Sequence, residues 1–136
     1  IPVIHIAEVT SKKIIERKLK KVTLLGTKYT MEKDFFIYFL TSFGIKTVVP
    51  ELEERDIIHA IIYNELSVGV IKPVSKEKYV NIINRLIKSG VEGVILGCTE
   101  IPLLIQQEDV TVPIFDTTEI HATVAFEFAT KQQQSQ

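Results

Sequence analysis

Apolar positions along this chain alternate between short β-branched runs and longer stretches with helical spacing. Residues 3–6 predict a buried strand, and residues 8–20 a helix with Val9, Ile14, Ile15 and Leu19 as its apolar positions. Residues 22–25 predict a second strand, ended by Gly26-Thr27. A helix over 31–43 follows, with Thr30 as N-cap and Gly44 at the C-terminal cap. Residues 45–49 predict a third strand, stopped by Pro50. Residues 53–66 predict a helix with Ile57, Ile58, Ile61 and Ile62 on one side and carboxylates near its start. Ser75 is expected to cap the next helix, where Tyr79, Ile82, Ile83, Leu86 and Ile87 repeat on one face before Gly90. Residues 93–96 lack alternation, as expected of a strand covered on both faces. Residues 112–115 predict a last strand, and Asp116 with Glu119 a capping-box-like start to a helix running to Ala129.

Strands alternating with helices of this length imply an α/β fold with a mainly parallel sheet. The 136 residues suit one ordinary domain, with 46% hydrophobic and 24% charged residues. Sixteen basic and seventeen acidic residues leave a formal charge of −1, so no global field draws the chain to nucleic acid or membrane. The six basic residues from Lys12 to Lys21 are broken by Glu16 and by apolar residues, which describes a solvated helix face. No apolar run is long enough for a spanning helix, and the N-terminus has no signal-peptide pattern. A single cysteine cannot form an intramolecular disulfide, and a cytoplasmic location is expected. The chain opens directly into an apolar run without an initiator Met, so it is expected to start mid-protein. The tail Gln132-Gln133-Gln134-Ser135-Gln136 is polar, unpatterned and expected to fray.

The informative segment is Val94-Ile95-Leu96-Gly97-Cys98-Thr99-Glu100-Ile101-Pro102. A buried strand ends, a glycine permits a tight turn, and a thiol appears before another expected helix. Ligands of open α/β sheets lie at the carboxyl ends of the strands. A helix start there would pull the thiol pKa below the free value of roughly 8.5. Acid/base or nucleophilic chemistry therefore suits Cys98; a small buried hydrophobe is the alternative. His5, His59 and His121 show no metal-ligand spacing with one another or with Cys98, and no metal is expected. Phe35, Phe36, Phe39 and Phe43 form an aromatic stripe that core packing or an interface explains.

Gly97-Cys98-Thr99-Glu100 after an apolar strand resembles the second cysteine motif of the aspartate/glutamate racemases. Gly26-Thr27-Lys28-Tyr29-Thr30-Met31 is similar to that family's glycine-threonine turn. Val112-Pro113-Ile114-Phe115-Asp116-Thr117 with Ile120-His121-Ala122 resembles its closing strand and helix. Ile1-Pro2-Val3-Ile4-His5-Ile6 resembles the segment before the crossover between lobes.

The resemblance implies two pseudo-symmetric α/β lobes, each giving one cysteine to an active site that uses no pyridoxal phosphate, metal or other cofactor. One thiolate would take the α-proton and the other thiol would return a proton to the opposite face. It implies residues 1–20 as the end of the first lobe and the crossover helix, 21–97 as the second lobe, and 98–136 as the cysteine turn and return segment. Cys98 would be one acid/base thiol, with Thr99, Thr27, Thr30 and Lys72 contacting an aspartate or glutamate substrate. His5 would approach the interlobe cleft, and Glu100 would hold a neighbouring group. The first cysteine motif and the N-terminal glycine-rich loop have no counterpart here. The implied partner is therefore the missing first lobe, and the chain by itself would be inactive. Without that lobe the apolar edges of its first and last elements would be exposed, so a homodimer is expected. Hydantoin racemases, maleate isomerases and arylmalonate decarboxylases remain as alternatives, as does a non-catalytic α/β ligand-binding module.

Overall fold

The computed structural model describes residues 3–32 and 34–123, with the side chains of 3–5 and 34 left aside. Four parallel strands form one sheet: β1 (Lys21–Leu25), β2 (Lys46–Val48), β3 (Gly93–Leu96) and β4 (Ile114–Asp116), in the order β2-β1-β3-β4. Val22 sits opposite Gly93 and Leu25 opposite Leu96, while Ile95 sits opposite Phe115. Strand pleating sends alternate side chains to opposite faces, and two cores result. Val22, Leu24, Ile95 and Phe115 pack against Ile14 of α1 (Val3–Glu16), Leu40 of α3 (Asp34–Ser42) and Ile120. Leu25, Val94 and Leu96 face Met31 of α2 (Lys28–Glu32), Ile58, Ile61 and Ile62 of α4 (Leu52–Asn64), and Tyr79, Ile83 and Leu86 of α5 (Pro73–Lys88). Helices thus cover both faces of a parallel sheet, the architecture expected from the alternating elements.

Several elements lie as expected. Residues 93–96 are all buried in β3, Gly44 and Gly90 end their helices with φ of 80° and 109°, and Asp116 Oδ1 accepts the amides of Thr118 and Glu119. Residues 117–123 are helical; the expected helix end at Ala129 and the glutamine-rich tail lie outside the described residues. Phe36 and Phe43 join the α3-side core, and Phe35 and Phe39 meet edge to face at 5.3 Å.

Four expectations are corrected. Residues 3–6 belong to α1 rather than to a strand. Locally the β-branched run Val3, Ile4 and Ile6 favours a strand, but Ile6, Ala7, Thr10, Ser11 and Ile14 are buried at helical spacing, so packing overrides propensity. Thr30 is not an N-cap: α2 begins at Lys28, and Thr27 Oγ1 accepts the Thr30 amide at 3.2 Å. Ser75 does not cap α5, which starts at Pro73 with fixed helical φ. Ser75 is buried instead and donates to Glu65 Oε1 at 2.5 Å. Finally, Cys98 is followed by bends and a three-residue 3₁₀ turn, Ile101–Leu103, not by an α-helix.

The α4–α5 packing rests on Tyr79, which is fully buried and donates its hydroxyl to the Ile58 carbonyl at 2.9 Å. Arg85 of α5 pairs with Glu54 near the start of α4. Tyr79→Phe keeps the ring but removes that hydrogen bond, and should cost about 1 kcal/mol. A urea titration checks this; an unchanged midpoint would show that the hydroxyl contributes nothing.

Candidate active site

The order β2-β1-β3-β4 places a switch point between β1 and β3. From β1 the chain leaves toward one edge of the sheet, and from β3 toward the other. Such crevices at the carboxyl ends of the strands are where open α/β sheets take ligands. Here they are bordered by Gly26-Thr27 after β1, Gly97-Cys98-Thr99 after β3, and Thr117-Thr118 after β4. The Gly97 amide donates to the Leu25 carbonyl at 2.8 Å, so the first two turns are joined by backbone.

Thr30 explains both glycines. A Cβ at Gly26 would lie 3.0 Å from Thr30 Cβ and Cγ2; one at Gly97 would lie 3.1 Å from Thr30 Cγ2 and 3.3 Å from the Leu25 carbonyl oxygen. One threonine methyl therefore seals two strand-end turns against each other. Gly97→Ala presses on Thr30, the Leu24 side chain and the Leu25 carbonyl together, and should cost about 1–3 kcal/mol of overpacking. Chemical denaturation measures that loss, and a neutral result would mean the turn gives freely.

A cavity of about 620 Å³ opens over these turns, lined by Ile6, Thr30, Phe36, Gly97, Thr99, Thr117, Thr118, His121 and Ala122. The Thr27 and Thr30 hydroxyls lie 3.2 Å apart, and Thr117 Oγ1 donates to the Leu96 carbonyl at 2.9 Å. Of the residues singled out in the sequence, Thr30 and Thr99 line this cavity and Thr27 stands behind Thr30. Cys98 is not among the lining residues. Between Gly97 and Thr99, it packs against the α4–α5 core and donates its thiol to Glu100 Oε2 at 2.8 Å. Lys72 is exposed just ahead of α5 and is not a lining residue either. The side chain of His5 lies outside those described, and its backbone belongs to α1. Thr117, Thr118, Phe36 and Ile6 were not anticipated as cavity residues. Their signal was weak: Thr117 and Thr118 follow a strand end, but Ile6 and Phe36 read simply as core.

The electrostatics of Cys98 reverse the expectation from sequence. Burial, and next the hydrogen bond to the Glu100 carboxylate, push the thiol up to about 11, whereas the backbone amides of Glu100 and Ile101 pull it down and lose. A three-residue turn offers no helix dipole, and the nearest charge is negative. Glu100 moves the other way: hydrogen bonds from the Cys98 thiol and the Thr99 hydroxyl hold its carboxyl below the usual carboxylate range. The pair thus favours a neutral thiol beside a carboxylate. Behind it, Tyr79 is kept protonated by burial above all, and a Cys98 thiolate, where one forms, and the Glu65 carboxylate act in the same direction. Among the described residues no cluster of three or more His, Cys, Asp or Glu could hold a metal ion, and no helix is long and apolar enough to cross a membrane.

Comparison with known proteins follows the same lines. The chain superposes on a Yersinia pestis protein assigned as an Asp/Glu racemase with a TM-score of 0.88 and 43% identity, over 96% of this chain and 57% of that one. An aspartate racemase homologue from Pyrococcus horikoshii OT3 gives 0.84 and 44%, over 92% of this chain and 55% of that one. The chain therefore spans little more than half the length of these two structures. It is also 33% identical, over 129 residues, to an uncharacterized protein from the pnlA 3′ region of Pectobacterium carotovorum subsp. carotovorum, covering 92% of this chain and 85% of that protein. Residues 1–125 match the Asp/Glu/hydantoin racemase model, and with its parallel sheet and strand-end turns in place the chain belongs to that racemase family.

Proposed function

We propose that the chain carries the second of two acid/base cysteines of a cofactor-independent racemase that acts on aspartate first and glutamate second. The observation that supports this most is Cys98 itself, a half-buried thiol at the carboxyl end of β3, kept protonated by burial first and then by the Glu100 carboxylate it donates to. A thiol in that state is an acid awaiting a carbanion. A base on the opposite face takes the α-proton, and the electron pair of the Cα–H bond spreads into the α-carboxylate. The Cys98 S–H then gives its proton to the other face of Cα and is left as thiolate; the reverse reaction exchanges the two roles. On this reading the opposite base is a cysteine of a complementary first lobe. On that reading residues 1–20 end the first lobe and cross over, 21–97 form the second, and 98–136 return toward the first, although α1 packs on the sheet at β1 and β3, and β4 pairs with β3.

Thr27, Thr30 and Thr99 are the proposed contacts of the α-carboxylate, through hydroxyls and turn amides. Lys72 is the proposed partner of the side-chain carboxylate, which its exposed side chain would have to swing to reach. A homodimer is the proposed assembly. The test is proton NMR of the α-hydrogen of L-aspartate and L-glutamate in D₂O, using this chain and a form extended by its complementary lobe. Exchange by the extended form only is expected; exchange by neither sinks the reading.

One observation favours a second reading within the family. The cavity wall includes Ile6, Phe36 and Ala122, and no Lys or Arg is among its described lining residues. Such a wall suits a neutral side chain, as on a 5-substituted hydantoin. Including that substrate in the exchange assay separates the two.

A further inference from the structure

The start of α2 is held by two side chains. Thr27 Oγ1 takes the Thr30 amide from within the turn, and His59 Nδ1, from α4, takes the Lys28 amide at 2.9 Å. The Lys28 amide is one of the N-terminal donors that a helix cannot satisfy by itself. His59 is half-buried, 31 residues away in sequence, with its ring against Tyr63 at 4.5 Å. Around this junction lie Lys28 and Glu32 of α2 with Asp56 and Arg55 of α4. Lys28 pairs with Asp56 at 2.5 Å, and Arg55 with Glu32 at 3.8 Å. From α5, Tyr79 reaches the adjoining Ile58 carbonyl.

An imidazole nitrogen that accepts a hydrogen bond cannot carry a proton, and in the cation both ring nitrogens are donors. Protonation would therefore set an N–H against the Lys28 N–H. We propose that His59 is a positioning residue: its neutral ring clamps the first amide of α2, setting the Thr27–Thr30 turn at the cavity, and its protonation releases that turn. The sign is fixed by chemistry. The clamp exists only with the neutral ring, whose Nδ1 accepts, and is lost wherever that nitrogen carries a proton. Thr27 is next to the clamped residue and Thr30 two beyond it, so a shift there reaches the methyl that seals Gly26 against Gly97. The consequence for substrate rests on the racemase reading; the clamp does not.

The test is amide NMR of this chain between pH 5 and 8, for wild type, H59N and H59L. In wild type the Lys28 amide should move in step with the His59 ring, and the Thr27 and Thr30 amides should follow. H59N offers a side-chain carbonyl that accepts but does not titrate, and should hold all three amides at their high-pH positions throughout. H59L should place them near the low-pH positions at every pH. A Lys28 amide indifferent to ring protonation, or an H59N protein that titrates like wild type, overturns the proposal. In the complete enzyme, KM for the amino acid should rise severalfold toward acid pH in wild type and stay flat in H59N. Exchange with identical acid limbs in both would end the clamp's role in the site and leave the racemase reading standing. Absence of exchange at any pH would end that reading, while the amide titration would still decide the clamp.

Discussion

Cys98→Ala in the form completed by its other lobe should abolish inversion of the amino acid, a loss of about 10³-fold or more in racemisation followed by polarimetry. A two-base inversion needs a proton donor on one face and an acceptor on the other, so removing either leaves a carbanion that returns only to the face it came from. Cys98→Ser should fare little better, because a hydroxyl is a far weaker acid than a thiol. The substitution is structurally mild: Cys98 is half-buried and contacts the α4–α5 core at its edge, so the circular dichroism spectrum and melting temperature should change little. Undiminished racemisation by a folded C98A protein would remove Cys98 from the chemistry and return it to the role of a small core side chain.

The second large effect concerns the reactivity of the same thiol. With the thiol up at about 11, only about a thousandth is thiolate at pH 8, so iodoacetamide should modify it far more slowly than a free cysteine. Burial is the larger cause and the Glu100 carboxylate the next. Glu100→Gln keeps the burial and removes the charge, so the thiol pKa should fall part of the way and alkylation at pH 8 should speed up on the order of tenfold. Rates followed by mass spectrometry across pH give both values. A Cys98 that reacts as fast as free cysteine at pH 8, or a Glu100→Gln protein with no gain, would contradict the thiol–carboxylate pairing. The state of this pair also bears on mechanism. On the proposed two-base reading, a thiol held protonated by burial and by its neighbour would be the resting acid of the cycle, with the resting base on the other face.

Much of the architecture was legible because one-dimensional pattern reports what a single element needs. The unbroken apolar run Gly93–Leu96 is a strand with helices on both faces, and it could be read as such without knowing which helices. The repeat Tyr79, Ile82, Ile83 and Leu86 marks one buried face of α5 in any fold that covers it. Gly44 and Gly90 adopt positive φ for reasons local to their turns. The Gly97-Cys98-Thr99 turn was visible at a strand end, and the rule that ligands gather there needs only the strand.

The errors arose where the deciding partner is distant. Residues 3–6 have strand composition but are drawn into α1 by packing between α1 and α3. Thr30 and Ser75 looked like caps because both are hydroxyl residues near helix starts. The actual starts are set by Thr27 and Pro73, which frees Thr30 to seal two glycine turns and Ser75 to meet Glu65. The pKa of Cys98 could not be inferred from its place after a strand, since its direction depends on whether a helix end or a carboxylate comes nearest. The His59–Lys28 bond spans 31 residues and leaves no periodic trace.

From its sequence alone, then, the chain declares a parallel α/β sheet, its buried strand and helix faces, and a thiol at a strand end, because these follow from spacing within an element. Tertiary structure alone decided which helix covers which face, which side chain ends each helix, and whether Cys98 rests as thiol or thiolate. Those outcomes depend on which groups from remote parts of the chain come within hydrogen-bond distance.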